Sequence, residues 1–439
     1  MFGFSMIQMV RSNADKLDLT LRQTMVGLYT PFKWTPCILH STLEGFLKKT
    51  KKFPVVVEFN GSCAFDEAVK GSHMEANNHI RSKMKRQIPS TSCCSMDVTP
   101  AALEELLTSC LFIKKIYYDR QVKALLDVAT SSVRANNSNL DAGMSGNGVT
   151  IAVIDTGIYP HQDLAGRIVA FKDLVNDRTE PYDDNGHGTH CAGDAAGDGA
   201  ASDGQYRGPA PEANLVGVKV LDKLGSGSLS TVMAGVEWCI EYNRLNSDNP
   251  IHILSMSLGS DPQSPSENDD PMVRSVEAAW NSGMVVCVAA GNSGPDPGTI
   301  ASPGVSETVI TVGAMDDFNT PNIIDDKIAT FSSRGPTAYG KSKPDVVAPG
   351  VNIISLRSPN SYLDKLQKGN RIGSEYFSLS GTSMATPICA GVAALIIENN
   401  PGIPPNEVKR RILEGAEPLG TAETYGKGYL NAEKALSIE

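Results

Sequence analysis

The chain is notable first for what it does not contain. No stretch of its 439 residues reads as a membrane span, and the opening MFGFSMIQMVRSNADKLD lacks both a preceding basic residue and a small-residue cleavage site. No secretory signal or membrane partner is therefore expected. Paired C-x-x-C spacings are absent: the 9 cysteines (37, 63, 93, 94, 110, 191, 239, 287 and 389) are odd in number, scattered, and mostly set in apolar patterns. That excludes a disulfide framework, argues against a zinc cluster at Cys63, Cys93, Cys94 and Cys110, and points to reduced thiols in the cytoplasm. An H-E-x-x-H sequence is also missing, so His187 and His190, although close in sequence to Asp183 and Asp184, do not make a zinc-peptidase motif. His190 and His161 are expected to support the local fold. No internal repeat appears, which excludes a solenoid.

Hydrophobic residues make up 41% of the chain, enough for a sizeable core spread over two or three domains. The formal charge of −10 is unevenly distributed. Residues 1–126 carry 17 basic and 11 acidic side chains (+6), leaving 22 and 38 in the remainder (−16). The acidic part has no basic stripe with which to neutralise phosphates, so no nucleic-acid partner is expected. The runs KKTKK at 48–52 and RSKMKR at 81–86 fit equally well a basic surface attracted to the acidic part and ordinary solvated faces.

Pattern divides the chain into an N-terminal extension (1–50), a small α+β domain (51–126), a linker (127–147) and a large α/β domain (148–439). In the small domain, strands are predicted at 53–59, 91–98 and 111–118, and helices at 65–87 and 100–110, the latter opened by Thr99 and Pro100. The linker region carries NNSN and GMSGNG, the polar composition of an exposed, cleavable segment. From 149 onward apolar runs alternate with helical patterns, which calls for a largely parallel sheet covered on both faces. Strands are predicted at 149–155, 214–221, 251–257, 284–290, 308–313 and 346–355, with helices at 187–198, 229–245, 271–282, 382–399 and 405–414. The segments 260–270 and 316–327 read as acidic surface loops.

Three stretches carry chemistry. GTSMATP at 381–387 sets Ser383 at the start of an apolar helix, where the helix dipole favours a developing oxyanion, with Pro387 taken to fall within the tolerant first turn. VTIAVIDTGI at 149–158 is a buried strand that ends in Asp155 at its C-terminal rim, the rim at which open α/β sheets bind ligands. DDNGHGTHCAG at 183–193 places His187 between glycines at a loop-to-helix transition. Asp155, His187 and Ser383 thus stand in the chain order of one known nucleophilic triad.

With these flanks the chain resembles the subtilisin-like serine peptidases over about residues 140–439, and AAGNSG at 289–294 matches that family's oxyanion motif. The long leader is similar to that of an intracellular branch found in bacilli. The resemblance implies a subtilisin-like three-layer fold with a largely parallel central sheet, preceded by a ferredoxin-like α+β propeptide that assists folding and occupies the active site. It implies an endopeptidase acting through an acyl-enzyme, with Ser383 as nucleophile, His187 as base, Asp155 as its orienter and Asn292 as oxyanion donor. Protein or peptide substrates are expected to add as extended strands against edges formed by Gly225, Ser226 and Gly227 and by Ser257, Leu258 and Gly259. Ala289, Ala290, Gly291 and Ala301 are expected to wall the first specificity pocket, whose small side chains leave room for a large apolar group. No cofactor is needed for this chemistry. Structural calcium is allowed, with Asp345 matching a carboxylate near a weak cation site, whereas the stretch GDAAGDGAASDGQYRGPAP departs from the loop that builds a strong one. Cys191, four residues after His187, reads as a small buried hydrophobe close enough for a bound mercurial to displace the imidazole.

Overall fold

The computed structural model describes residues 5–29, 32, 40–77, 82–119, 121–124, 135, 143–264, 266–318 and 326–438. Most of the predicted 127–147 linker, together with Trp34, Cys37 and much of the 316–327 loop, lies outside the described residues. The chain forms two compact units, one of Met1–Arg120, Ser228–Ala234 and Gln263–Pro265, the other of Gln121–Gly227, Gly235–Pro262 and Ser266–Glu439.

The first unit is built on a four-stranded antiparallel sheet. Its spatial order is Lys83–Ile88, Cys93–Val98, Phe53–Phe59 and Ile113–Tyr118. With helices Phe65–Asn77 and Pro100–Ser109 as crossovers, the connectivity is the ferredoxin-like split βαβ. Thr99 caps the second crossover helix by accepting from Ala102 N at 3.2 Å, and Pro100 takes the first helical position, where no N–H is needed. The preceding helices Ser5–Ser12 and Leu19–Gly27 bury Met6, Met9, Leu21 and Met25 in the same core as Val55, Val57, Leu103 and Ile116. Asp18 fastens them there, accepting from Leu21 N at 2.9 Å and from Tyr118 N at 3.1 Å.

One expectation in this unit fails. The helix predicted at 65–87 ends at Asn77, and Lys83–Ile88 forms a strand. KMKRQI alternates in exposure, as a solvated edge strand must, and its charged side chains mimic a polar helix face while guarding the edge against further pairing.

The second unit is a three-layer α/β arrangement. Six parallel strands run in the order Ile168–Asp173, Asn214–Lys219, Thr150–Asp155, Ile253–Met256, Val285–Ala289 and Ile310–Asp316. Val346–Pro349 pairs parallel to Ile310–Asp316, and Lys327–Ile328 pairs antiparallel to it. Every residue of Thr150–Asp155 and of Val285–Ala289 is buried, the consequence of helices covering both faces. Helix Thr382–Asn399 has a mean hydropathy of 1.2 and is the one helix among the described residues long and apolar enough to cross a membrane, but 89% of it is buried here. It is a core helix.

The predicted strand 346–355 is two strands in different sheets. Val346–Pro349 stays in the central sheet, whereas Ile353–Leu356 pairs antiparallel with Tyr376–Leu379. The break falls at Asn352, whose φ of 55° is left-handed and incompatible with a continuing strand. Ile168–Asp173 escaped the periodicity reading because it is half-exposed and lacks a clean apolar run.

A backbone contact positions the site. A Cβ on Gly188 would lie 2.2 Å from the carbonyl oxygen of Gly157, so only glycine lets the helix His187–Ala196 approach the turn that follows Asp155. Gly188→Ala is expected to cost about 3 kcal/mol or more, seen as a melting temperature lowered by at least about 6 °C, because the clashing atom is main chain. A drop under about 2 °C, in the same units of measurement, would contradict this packing.

Candidate active site

Asp155 ends its strand fully buried. Its Oδ1 accepts from Thr156 N at 2.7 Å and from His187 Nδ1 at 2.8 Å, while Oδ2 is buried without a partner. His187 opens its helix after Gly186, with its N–H donated to Asn185 Oδ1 at 3.1 Å. Nδ1 being committed to Asp155, the ring presents Nε2, which is buried and makes no hydrogen bond. Burial by itself would push the imidazole down. The Asp155 carboxylate overrides it and carries His187 well above its ordinary value.

A buried brace sets this pair. Asp183 Oδ1 accepts from Thr156 Oγ1 at 2.9 Å, Asn185 N at 3.0 Å and Gly186 N at 2.8 Å, and Oδ2 accepts from Thr189 N at 2.9 Å. Thr156 Oγ1 in turn accepts from Gly188 N at 2.9 Å. The segment bearing Asp155 and the one bearing His187 are therefore joined by hydrogen bonds as well as by close packing. Lys219, fully buried, donates to Thr156 O at 2.6 Å, Leu221 O at 2.8 Å and Asp184 Oδ1 at 2.8 Å. No motif singles out Thr156 or Lys219, and Asp183 stands out in the sequence only as a neighbour of the His187–His190 pair. A lysine inside the apolar run LVGVKV was the available signal, since a charge is buried only when paired.

Ser383 sits in the first turn of helix Thr382–Asn399, at the positive end of its dipole, with Oγ 3.5 Å from Ser257 O. Pro387 lies inside the helix, beyond the first turn assigned to it from sequence. Its position has a consequence. Pro387 has no N–H to give to the carbonyl four residues back, so Ser383 O accepts instead from Ser257 Oγ at 2.7 Å and Cys191 Sγ at 3.5 Å. Asn292 Oδ1 accepts from Thr382 N and from Thr382 Oγ1, both at 3.0 Å, which turns its amide so that Nδ2 is buried with no partner. Nothing in the sequence marks Thr382 for this role beyond its place beside Ser383 in GTS.

The expected substrate edges are strands. Ser226–Ser228, which follows Gly225 and contains Gly227, and Leu258–Gly259, which follows Ser257, flank a third strand, Gln121–Ala124. Its register against the second edge is antiparallel, Leu258 opposite Ala124 and Gly259 opposite Lys123. Part of the chain itself thus lies between the two predicted edges as an extended segment. Ala289 ends its strand, and Ala290 O accepts from Ala301 N at 2.8 Å. A Cβ added at either Gly259 or Gly291 would stand 3.2 Å from Ala301 Cβ, so these predicted wall residues converge on one spot.

His190 and His161 are committed to structure. His190 uses Nδ1 with Asp194 Oδ2 at 2.9 Å and Nε2 with the carbonyls of Ile353 and Phe377 at 3.1 and 3.0 Å. Neither ring nitrogen is left for a metal shared with His187. His161 pairs Nδ1 with Asp163 N and Nε2 with Glu375 O, both at 3.1 Å. Around Asp345, the candidate calcium ligand, the neighbouring cations are lysines: Lys343 Nζ lies 2.5 Å from Oδ2 and Lys409 Nζ 3.3 Å from Oδ1. In the stretch 193–211, which departs from the strong-site loop, the Arg167 guanidinium donates to Ala196 O at 2.7 Å, and just beyond that stretch to Ala213 O at 3.0 Å.

Cys191 Sγ lies 3.9 Å from His187 Nδ1, and burial pushes its thiol up to about 11. The protonated thiol is a poor target for alkylating agents, yet it binds soft mercury with loss of its proton. Mercurials are expected to inhibit by displacing His187, and Cys191→Ala is expected to be resistant. Equal inhibition of both proteins would sink that account.

The comparisons agree with this geometry. Residues 146–428 match the family model described as the subtilase family. The chain is 59% identical over 440 residues to "Serine protease AprX" of Bacillus subtilis (strain 168), covering 99% of each chain. It is 38% identical over 293 residues to "Subtilisin Savinase" of Lederbergia lenta, covering 67% of this chain and 92% of that one. Among solved structures, fervidolysin from Fervidobacterium pennivorans matches with a TM-score of 0.69 and 22% identity, over 89% of this chain and 61% of that chain, a likeness of fold. A buried Asp–His pair, a serine at a helix start and an asparagine amide held with its N–H₂ group unpaired, on a sheet of this topology, place the chain in the subtilase family as a subtilisin-like serine endopeptidase.

Proposed function

We propose that this endopeptidase cleaves peptide bonds in proteins through an acyl-enzyme and is made as a precursor whose own N-terminal part inhibits it. The observation that carries the first half is the pair of buried atoms without partners, His187 Nε2 and Asn292 Nδ2. Buried polar atoms are seldom left unpaired, and these two face needs that arise only during acyl transfer. His187 Nε2 takes the Ser383 Oγ proton as Oγ bonds to the scissile carbonyl carbon. Asp155 holds Nδ1–H and stabilises the imidazolium. The oxyanion receives hydrogen bonds from Asn292 Nδ2 and Ser383 N. Collapse breaks the C–N bond, and His187 returns the proton to the departing amine. Water, deprotonated by the same imidazole, then releases the acid and restores Ser383.

The second half rests on Gln121–Ala124, which pairs with Leu258–Gly259 as an extended substrate would. A segment so placed excludes substrate until cleavage in the following stretch frees it. The small residues Gly259, Gly291 and Ala301 suit a large apolar side chain in the first pocket. A cytoplasmic location fits the cysteines, since none of the eight among the described residues is in a disulfide.

A fluorophosphonate probe tests the reading. Intact mass should show one adduct on the processed wild type and none on Ser383→Ala, with casein hydrolysis following the adduct. Asn292→Ala should keep the label and KM while kcat falls about 10²–10³-fold, a magnitude carried over from this position in subtilisin rather than derived from this geometry. A folded, processed protein that takes no label and cleaves nothing would favour a non-catalytic peptide-binding role.

A further inference from the structure

Asp345, just before the strand Val346–Pro349, stands in a nest of oxygen atoms. The carbonyls of Glu307, Thr308 and Val309, the Thr311 hydroxyl and both Asp345 carboxylate oxygens converge there on two side chains. An all-oxygen set containing one carboxylate is the donor chemistry that hard cations select. The occupants are ammonium groups. Lys343 Nζ donates to Val309 O at 3.1 Å, Thr311 Oγ1 at 3.0 Å and Asp345 Oδ2 at 2.5 Å. Lys409 Nζ reaches Glu307 O at 2.8 Å, Thr308 O at 3.3 Å, Val309 O at 2.8 Å and Asp345 Oδ1 at 3.3 Å. Asp345 Oδ2 also accepts from Thr311 N at 2.8 Å. The Glu307 carboxylate pairs with Lys341 instead of entering the nest.

Charge and space both oppose a metal here. Two ammonium groups face one carboxylate, so the nest already carries excess positive charge, and a divalent ion would have to expel a lysine whose side chain is only 1% exposed. The lysines also do the mechanical work of a structural ion. Lys409, on helix Pro405–Gly415, ties that helix to the 307–309 segment leading into Ile310–Asp316. Lys343 ties the residues before Val346–Pro349 to the same segment. We infer that Lys343 and Lys409 are resident cations that replace a metal at Asp345, so that this nest does not bind calcium in the wild-type chain and becomes a calcium site when the lysines are removed.

The test uses the full chain carrying Ser383→Ala to prevent autolysis, with the calcium ion alone as probe. Melting temperature is recorded in chelator and in excess calcium, and calcium uptake is followed by titration calorimetry. In this parent, Asp345→Asn should alter neither calcium uptake nor the calcium-dependent part of the melting temperature. The variant Lys343→Ala with Lys409→Ala should melt lower in chelator, gain one calcium per chain and recover by roughly 2 °C or more on calcium addition. Adding Asp345→Asn should abolish that gain. If the double variant does not fold, Lys409→Ala alone, at the more exposed lysine, carries the same comparison. Calcium uptake by the parent that Asp345→Asn removes, or a folded lysine variant with no extra calcium, would overturn the inference. Neither result depends on peptidase activity, so the functional reading stands or falls separately.

Discussion

The constraint on which the site depends is the contact of two main chains, Gly188 against the carbonyl of Gly157. It places the first turn of the histidine helix directly on the turn that follows the aspartate strand, and the 2.8 Å bond between His187 Nδ1 and Asp155 Oδ1 depends on that approach. Asp183 and Thr156 lock the contact with hydrogen bonds at 2.8–3.0 Å. His187, the base of the proposed mechanism, is thereby positioned by Asp183 and Thr156, groups that make no hydrogen bond to its ring. Preorganisation of this kind lowers the reorganisation needed in the transition state.

The helix that bears Ser383 achieves the same end through backbone groups released from their usual partners. Pro387 withholds an N–H, and the Ser383 carbonyl turns to Ser257 and Cys191. Thr382 uses its N–H and hydroxyl on Asn292 Oδ1, which fixes the amide with Nδ2 unpaired. Buried groups left in this condition lower stability. In the proposed mechanism the reacting carbonyl supplies the missing partner, so stability is exchanged for transition-state binding.

Legibility in the sequence followed locality. Strands buried on both faces, such as Thr150–Asp155 and Val285–Ala289, announce themselves as apolar runs, and the triad motifs lie at their ends or at helix starts. Half-exposed edges are hard to read: no apolar run marks Ile168–Asp173, and the polar pattern of Lys83–Ile88 mimics a helix, because their side chains answer to solvent more than to the core. The break at Asn352 depends on one left-handed residue that apolar periodicity does not register. The supporting residues were least visible. Thr382 with Asn292, Thr156 with Asp183, and Lys343 with Lys409 meet only once the chain is folded, and nothing in their spacing announces the contact. Asp345 shows the point most clearly, since resemblance alone suggests a metal where the fold brings two ammonium groups.

The central claim is that Asp155, buried beside His187, makes that imidazole a strong, correctly oriented base. It is tested most directly by proton NMR of the His187 Nδ1–H. A bond this short to a carboxylate predicts a resonance far downfield of the amides, lost in Asp155→Asn, that titrates with a midpoint above the ordinary histidine value of about 6.5. Since the proposed mechanism uses the neutral imidazole as base, kcat/KM should rise with pH through that same midpoint. Absence of the resonance in the folded wild type, or a midpoint at or below about 6.5, would contradict the account.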